Sequence, residues 1–289
     1  VIACAIGKFD ALHRGHFALA ARAAALGAPR LLTFSGMAAE LGWPERRPLV
    51  APDDRARVLG EWSRLLGNEI GVIELPFASV RGMTPAAFVA HLRSTLDAGA
   101  VVVGEDFRFG RDRGGDATML RQLADAAGLT LAVVPAVLHD GVVVSSSGVR
   151  AALASGDVAL AASLLGRPHR LDGTVVRGDG RGRALGIPTA NLGGRGNQEP
   201  APGVYAGWAE LDGRRLPAAI NVGHLPTIGD GRPLTVEAHL LGWSGDCHGR
   251  RLALDLVARL RGEQRFAGME ALVAQIRADI AAVPGALDG

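Results

Sequence analysis

Apolar and polar residues follow two rhythms along the first half of the chain. Short apolar runs recur at VIACAIG (1–7), RLLTF (30–34), EIGVIELPF (69–77), AVVVG (100–104) and LTLAVVPAV (129–137). Between them lie stretches rich in helix formers. These cover 16–26, Asp53 to Leu66 behind the start signal Pro52-Asp53, Pro85 to Leu96, and Ala117 to Ala127. Strands alternating with helices predict a parallel sheet covered on both faces. Beyond Arg150 the rhythm changes. Residues 150–166 read as two short helices, and glycine and proline then become frequent. Short strands follow at 174–176, 203–211, 216–223, 234–241 and 251–260, and a helix from Gly268 to Val283 closes the chain. That pattern predicts a small β-barrel with a terminal helix. The turn-rich segment GRPHRLDG (166–173) marks the boundary, giving domains 1–168 and 169–289.

Composition narrows the function classes. The 289 residues are 48% hydrophobic and 21% charged, which is globular material and not a disordered chain. Only 4% are aromatic, and 31 basic residues nearly cancel 29 acidic ones, so neither nucleic acid nor a membrane surface is an expected partner. Cys4 and Cys247 lie far apart without metal spacing, so we expect no disulfide and a cytoplasmic, reducing location. Lys8 is the one lysine in a chain that otherwise uses arginine.

The segment GKFDALHRGH (7–16) sits where a strand hands over to a helix, the place where open α/β sheets bind ligands. His13 and His16, three apart, share a face of the first helical turn. A helix start offers unpaired N–H groups to a phosphate, and two imidazoles there can stabilise a phosphoryl group in transfer. Gly7 and Gly15 allow close backbone approach. VVGEDFRFG (102–110) and VSSSGVR (144–150) follow two further strands, and the hydroxyls and Arg150 of the second suit phosphate oxygens. In the second half, GTVVRGDGRGRALGIPTANL (173–192) has the look of a phosphate loop. Its backbone N–H groups point inward around Gly178, Gly180, Gly182 and Gly186, Arg181 and Arg183 add charge, and Thr189 and Asn191 are hard oxygen donors suited to Mg²⁺.

These motifs resemble the bifunctional bacterial riboflavin kinase/FMN adenylyltransferase (FAD synthetase) family. The resemblance rests on Gly7-Lys8-Phe9-Asp10, His13-Arg14-Gly15-His16, Gly104 to Gly110 and Ser145-Ser146-Ser147-Gly148-Val149-Arg150 in the first half. In the second it rests on the Pro188-Thr189-Ala190-Asn191 loop, Pro202 to Tyr205, Asn221-Val222-Gly223 with Pro226-Thr227, Val236 to His239, Leu260 to Glu263 with Phe266, and Gln275-Ile276 with Asp279. It implies a nucleotidyltransferase-type, Rossmann-like α/β domain followed by a riboflavin-kinase-type barrel. It further implies phosphorylation of riboflavin to FMN by the second domain and adenylylation of FMN to FAD by the first, both with ATP and Mg²⁺. By the match, Gly7, Phe9, Asp10, Gly15, Ser145, Ser146 and Ser147 would bind ATP with catalytic His13, His16 and Arg150. Thr189 and Asn191 would hold Mg-ATP beside Gly178, Gly180, Arg181, Gly182 and Arg183. Glu237 would be the general base, and Asp106, Phe107, Arg261 and Phe266 would meet flavin.

The chain departs from the family pattern in several places. Ala11 stands for a glycine, Ser147 for a threonine, and Ser35-Gly36-Met37 for a Pro-His-Pro turn. Gly242-Trp243 and Cys247-His248 replace Asp-Phe and Leu-Tyr, which makes His248 a packing residue. Prolines stiffen a turn and Ser-Gly frees it, so the altered turn predicts a slower FAD-forming half. Two alternatives share these motifs: a kinase with a non-catalytic nucleotide-binding module, and a pair of activities toward a flavin-related acceptor.

Overall fold

The computed structural model describes residues 1–178, 180, 182, 185–223 and 234–288. Packing divides the chain into two units, Val1–Arg46 with Arg55–Ser145, and Arg47–Asp54 with Ser146–Gly289.

The first unit contains β1 (Ile2–Ile6), α1 (Arg14–Ala24), β2 (Ala28–Ser35), α2 (Met37–Leu41), most of α3 (Pro52–Leu66), β3 (Gly71–Pro76), α4 (Phe77–Val80), α5 (Pro85–Ser94), β4 (Ala98–Gly104), α6 (Ala117–Ala126), β5 (Thr130–Val134), and the short hairpin β6 (Leu138–His139) and β7 (Val142–Val143). Five strands pair in parallel in the order β3-β2-β1-β4-β5. The apolar runs are continuous because both faces of a parallel sheet are covered. Cys4, Ile6, Val101 and Val103 are buried among Leu92, Phe88 and Leu120 of the helices. Burial also pushes the Cys4 thiol up to about 11, so it stays a protonated core residue. The strand order reverses beside β1, which places the ends of β1 and β4 at the switch point where such sheets bind ligands.

The second unit contains α7 (Ser146–Ser155), α8 (Val158–Leu165), β8 (His169–Val176), β9 (Ala190–Gly193), β10 (Gly203–Leu211), β11 (Arg214–Gly223), β12 (Thr235–Leu240), β13 (Arg251–Arg261) and α9 (Met269–Leu287). Six strands close a barrel in the order β10-β11-β12-β9-β8-β13. Buried and half-buried positions alternate along β8, β12 and the first part of β13, the period of strands with one face inward. Tyr205 is fully buried and its hydroxyl donates to the Ala201 carbonyl. The sequence places the end of the last helix at Val283; the helix instead runs through Pro284 to Leu287. Pro284 has no N–H for the carbonyl four residues before it, so the last turn continues without that hydrogen bond.

The boundary expected at 168 differs from the division by packing. Helix α8 packs on β8 and β13, so α7 and α8 group with the barrel. The segment 47–54 joins them through polar contacts. Asn197 Nδ2 donates to the Leu49 carbonyl at 3.4 Å, Arg251 meets Asp53 at 2.8 Å, and Asp54 lies 4.0 Å from Arg170. Arg170 in turn forms a two-pronged pair with Asp255 at 2.7 and 2.8 Å and reaches Glu210 at 3.0 Å, tying β8 to β13 and β10. Among the described residues no helix is long and apolar enough to cross a membrane, and both cysteines are free.

His169 opens β8 fully buried, with Nε2 2.7 Å from the Gln198 carbonyl. Burial pushes its imidazole down from 6.5 to about 4. The unfolded chain therefore takes up this proton first as pH falls. The stability tied to the neutral ring is complete above about 6.5 and is lost progressively toward about 4, at most about 3 kcal/mol. We expect chemical-denaturation midpoints to fall between pH 7.5 and 4.5, and His169→Gln, which keeps a donor without titrating, to flatten part of that slope. An unchanged slope in the variant would contradict this account.

Candidate active sites

The first site is built by the turn between β1 and α1. Phe9 and Leu12 are both fully buried and both hold positive φ, 49° and 47°. For residues with a Cβ this conformation is strained by about 1–2 kcal/mol each, so the packing around them fixes the turn. Two side chains clamp it from outside. Thr33 Oγ1 donates to the Lys8 carbonyl at 3.0 Å, and Arg55 Nη1 donates to the Phe9 carbonyl at 2.9 Å. Helix α1 then starts on His13. Its Nδ1 accepts from the His16 amide at 3.2 Å, while His16 Nδ1 accepts from the His13 amide at 3.4 Å. The two rings stack with centroids 3.6 Å apart and planes 11° from parallel. The Phe9 ring lies against His16 at 5.0 Å.

This reciprocal cap fixes the tautomers. A ring nitrogen that accepts carries no proton, so each neutral imidazole holds its hydrogen on Nε2. Both rings thus present an Nε2–H donor. Gly15 is part of the arrangement, since a Cβ there would stand 3.1 Å from the His13 ring, tighter than ordinary contact. The same point lies 3.7 Å from the Val144 carbonyl, which brings the strand end before Ser145 alongside the start of α1. The expected ATP residues Gly7, Phe9, Asp10, Gly15 and Ser145 therefore belong to one unit with His13 and His16. Ser146, Ser147 and Arg150 group with the second unit, where Arg150 Nη1 donates to the Arg47 carbonyl at 2.9 Å and to Gln198 Oε1 at 2.6 Å.

The segment after β4 is ordered by aromatic packing. Phe107 stacks on Phe109 at 5.6 Å, and Asp106 is exposed beside it. Asp116 caps α6 by accepting from the Met119 amide at 2.9 Å. That hydrogen bond, with Arg108 nearby, holds its carboxyl below the ordinary range.

The altered turn at 35–37 leads into a short helix. Gly36 adopts φ 72° and starts α2, and Gly42 at φ 64° ends it. Arg81 then braces the helix through Glu40, at 2.6 Å to the carboxylate and 2.9 Å to the carbonyl. The helix carries the chain to Trp43, whose ring centroid lies 4.2 Å from Lys8 Nζ.

The second site is a cleft of about 1010 Å³ at one end of the barrel. Antiparallel register sets its polar residues opposite one another: Asn221 faces Glu237 across β11 and β12, and Asn191 faces Glu237 across β12 and β9. Thr189 Oγ1 donates to Glu237 Oε2 at 3.3 Å. Gly178, Gly180, Gly182, Thr189, Asn191 and Glu237 all line this cleft, while Arg181 and Arg183 lie outside the described residues, as do Pro226 and Thr227. A Cβ on Gly178 would stand 2.3 Å from the Asn191 amide nitrogen, so glycine is what lets the loop close on Asn191. Asn221 joins these residues in the cleft without belonging to the site expected from the motifs. Its signal was a polar residue placed inside the apolar run LPAAINVG. His248 lines the same cleft together with Trp243 and Cys247.

The two residues expected to meet flavin at the barrel end have structural partners. Arg261 pairs with Asp279 of α9 at 2.8–3.0 Å and sits 5.6 Å over the Phe266 ring. Gln275 adds a 2.8 Å hydrogen bond to Asp279, so this cluster fastens α9 to β13. Among the described residues no group of three or more His, Cys, Asp or Glu could hold a metal ion.

A parallel sheet with a strand-order switch point and a barrel whose cleft is lined by Glu237 are the two features that the comparisons with known proteins place in one class, the transferases of flavin synthesis. A riboflavin kinase family model matches residues 165–287 and an FAD synthetase family model matches residues 1–148. A bifunctional riboflavin kinase/FMN adenylyltransferase of Pseudomonas fluorescens is 40% identical, over 96% of this chain and 90% of its own. FAD synthetase 1, chloroplastic, of Arabidopsis thaliana is 40% identical over 75% of this chain and 66% of its own. A crystal structure described as a macrolide-efflux protein from Streptococcus pneumoniae superposes with a TM-score of 0.85 and 28% identity. That match covers 98% of this chain and 93% of that one. The chain belongs to the bifunctional riboflavin kinase/FMN adenylyltransferase family.

The close approach at Gly178 gives a local test. Gly178→Ala pushes the Asn191 amide aside without touching the barrel core. Nucleotide affinity at the cleft should fall about tenfold, as expected when one positioned polar contact is lost, while thermal stability stays within a few degrees. Unchanged affinity by direct titration would show that the Asn191 position does not matter.

Proposed function

We propose that this chain makes FAD from riboflavin in two ATP-dependent steps: phosphorylation of riboflavin to FMN in the barrel unit, then adenylylation of FMN in the α/β unit. Family membership along nearly the whole chain carries the reading, and the geometry of each site supports it. We keep 1–168 and 169–289 as the functional division, with α7 and α8 packing on the barrel.

In the kinase step the 5′-hydroxyl of riboflavin attacks the γ-phosphorus of ATP. The bond from that phosphorus to the bridging oxygen breaks, and ADP leaves. A primary alcohol is a weak nucleophile at neutral pH, and Glu237 in the cleft is the carboxylate to accept its proton. Thr189 and Asn191 provide neutral oxygen donors beside it. That set suits Mg²⁺ held jointly with phosphate oxygens better than a cation held by protein alone. When bound there, Mg²⁺ supplies charge neutralisation for the phosphates. Gly178, Gly180 and Gly182 keep the loop backbone close, and Arg181 and Arg183 belong to the same reading.

In the adenylyl step a phosphate oxygen of FMN attacks the α-phosphorus of ATP. The bond from the α-phosphorus to the bridging oxygen breaks, pyrophosphate leaves, and no proton need be removed from the nucleophile. The work is positioning and charge stabilisation. The Nε2–H donors of His13 and His16 and the N-terminus of α1 serve the triphosphate. Ser145, Ser146, Ser147 and Arg150 complete the nucleotide contacts in this reading, with flavin near Asp106 and Phe107. Arg261 and Phe266 would border flavin in the kinase unit. The two free cysteines fit a reducing, cytoplasmic setting.

The test is to incubate the purified chain with Mg-ATP and riboflavin, then with FMN, and to separate the flavins by chromatography. FMN and FAD should both form. Glu237→Ala should cut riboflavin phosphorylation by about 10²–10⁴-fold, the usual cost of losing a general base, while Mg-ATP still binds. Near-normal phosphorylation by that variant would overturn the assignment of the base.

A further inference from the structure

The β1–α1 turn presents N–H donors at two places. The imidazoles and the α1 N-terminus stand beside the Val144 strand end. Lys8, five residues before His13, lies beside the end of β2. Its carbonyl is held by Thr33 at the end of β2, and its ammonium rests over the Trp43 ring at 4.2 Å. A cation against an aromatic face is held in place without being neutralised, unlike one in a carboxylate pair. Among the described residues the charges acting on Lys8 are predominantly cationic: Arg113 and Arg46 act on it electrostatically, and Asp10 acts the other way. Arg113 is held at φ 57°, with its amide donating to the Gly110 carbonyl at 3.0 Å, a conformation that a residue with a Cβ adopts only under constraint. Burial, Arg113 and Arg46 together push the Lys8 ammonium below its ordinary value, which marks a site where positive charge has been gathered.

Gathered positive charge calls for an anion. Adenylyl transfer brings two multiply charged anions together, and the attacking phosphate must approach the α-phosphorus from the side opposite the leaving pyrophosphate. With the triphosphate on the histidine and Ser145 side, the β2 side of the same turn is left for the acceptor. We propose that Lys8, held by Trp43, binds the phosphate of the acceptor FMN and positions it for attack. Trp43 is a positioning residue, since it acts through Lys8. A compact ammonium suits this place because its three rotatable donors can follow a tetrahedral phosphate through the transfer. This deepens the adenylylation reading and rests on it. Helix α2 leads to Trp43, and Trp43 holds Lys8.

The test uses the full chain with Lys8→Met, Lys8→Arg and Trp43→Leu. FAD formation is measured against FMN at saturating ATP, and against ATP at saturating FMN. Lys8→Met should raise KM for FMN about tenfold or more, the scale of one lost charge-assisted contact, with KM for ATP and riboflavin phosphorylation within about twofold. Lys8→Arg should recover part of the loss, and Trp43→Leu should show a smaller effect of the same kind. An unchanged KM for FMN, or equal rises for FMN and ATP, would overturn the proposal. A second measurement separates this proposal from the activity it rests on. Lys8 is the lysine of this sequence, so [¹³C]lysine labelling gives a resonance assignable to it. With an unreactive ATP analogue bound, that resonance should shift on adding FMN and not on adding riboflavin, whether or not the wild-type chain forms FAD. No shift with FMN would overturn the proposal, whereas absence of FAD with a shift intact would reject adenylylation alone.

Discussion

A helix that begins on an imidazole constrains everything around it. The usual caps are small hydroxyl or carboxamide side chains that reach a nearby amide easily. His13 does the same with a ring, and only because His16 reciprocates and the glycine between them leaves room for the first ring to fold back. The cap spends Nδ1 of both residues on backbone amides, so the Nε2 hydrogens are oriented before any substrate arrives. Donors that need no reorientation during reaction stabilise developing charge more effectively than mobile ones. The strained backbone at Phe9 and Leu12 and the clamps from Thr33 and Arg55 serve that same end.

The barrel unit meets the same requirement by another route. Antiparallel register, not a helix start, sets Asn191, Glu237 and Asn221 in line across three strands. The loop then approaches Asn191 so closely that Gly178 has no room for a side chain. One unit therefore offers N–H donors from a helix and rings, and the other offers oxygen ligands and a carboxylate. That division suits an attack by a phosphate that is already anionic in the first case, and by an alcohol that must lose a proton in the second.

Periodicity located the five parallel strands, the main helices around them and most of the barrel strands, because the two sheet types bury their faces so differently. It missed β9, since Ala190 to Gly193 sits inside a loop motif and is too short to show alternation. It missed α2, where Ser35-Gly36-Met37 reads as a flexible break, because the brace from Arg81 is 41 residues from its partner in sequence. The domain boundary followed turn residues at 166–173, whereas packing follows the apolar faces of α7 and α8 and the polar ties of 47–54. Motif reading set His13 and His16 on one helical turn, where they cap it reciprocally, and grouped Thr189 with Glu237 by resemblance, a pair that the structure joins at 3.3 Å. It gave no sign that Arg261 would be occupied by Asp279, or that Trp43 would meet Lys8, because those pairings depend on tertiary contacts alone.

In the adenylylation proposed for this chain, the Nε2 donors of the capped histidine pair act on phosphate while Nδ1 holds the helix. His16→Asn separates the two roles, since an asparagine side chain can still accept from the helix start but has no group where Nε2 stood. The variant should fold with little change in thermal stability and phosphorylate riboflavin normally, while FAD formation from supplied FMN falls about 10²-fold or more, the cost of one lost donor to developing charge. FAD formation at the wild-type rate in a folded His16→Asn protein would contradict the account.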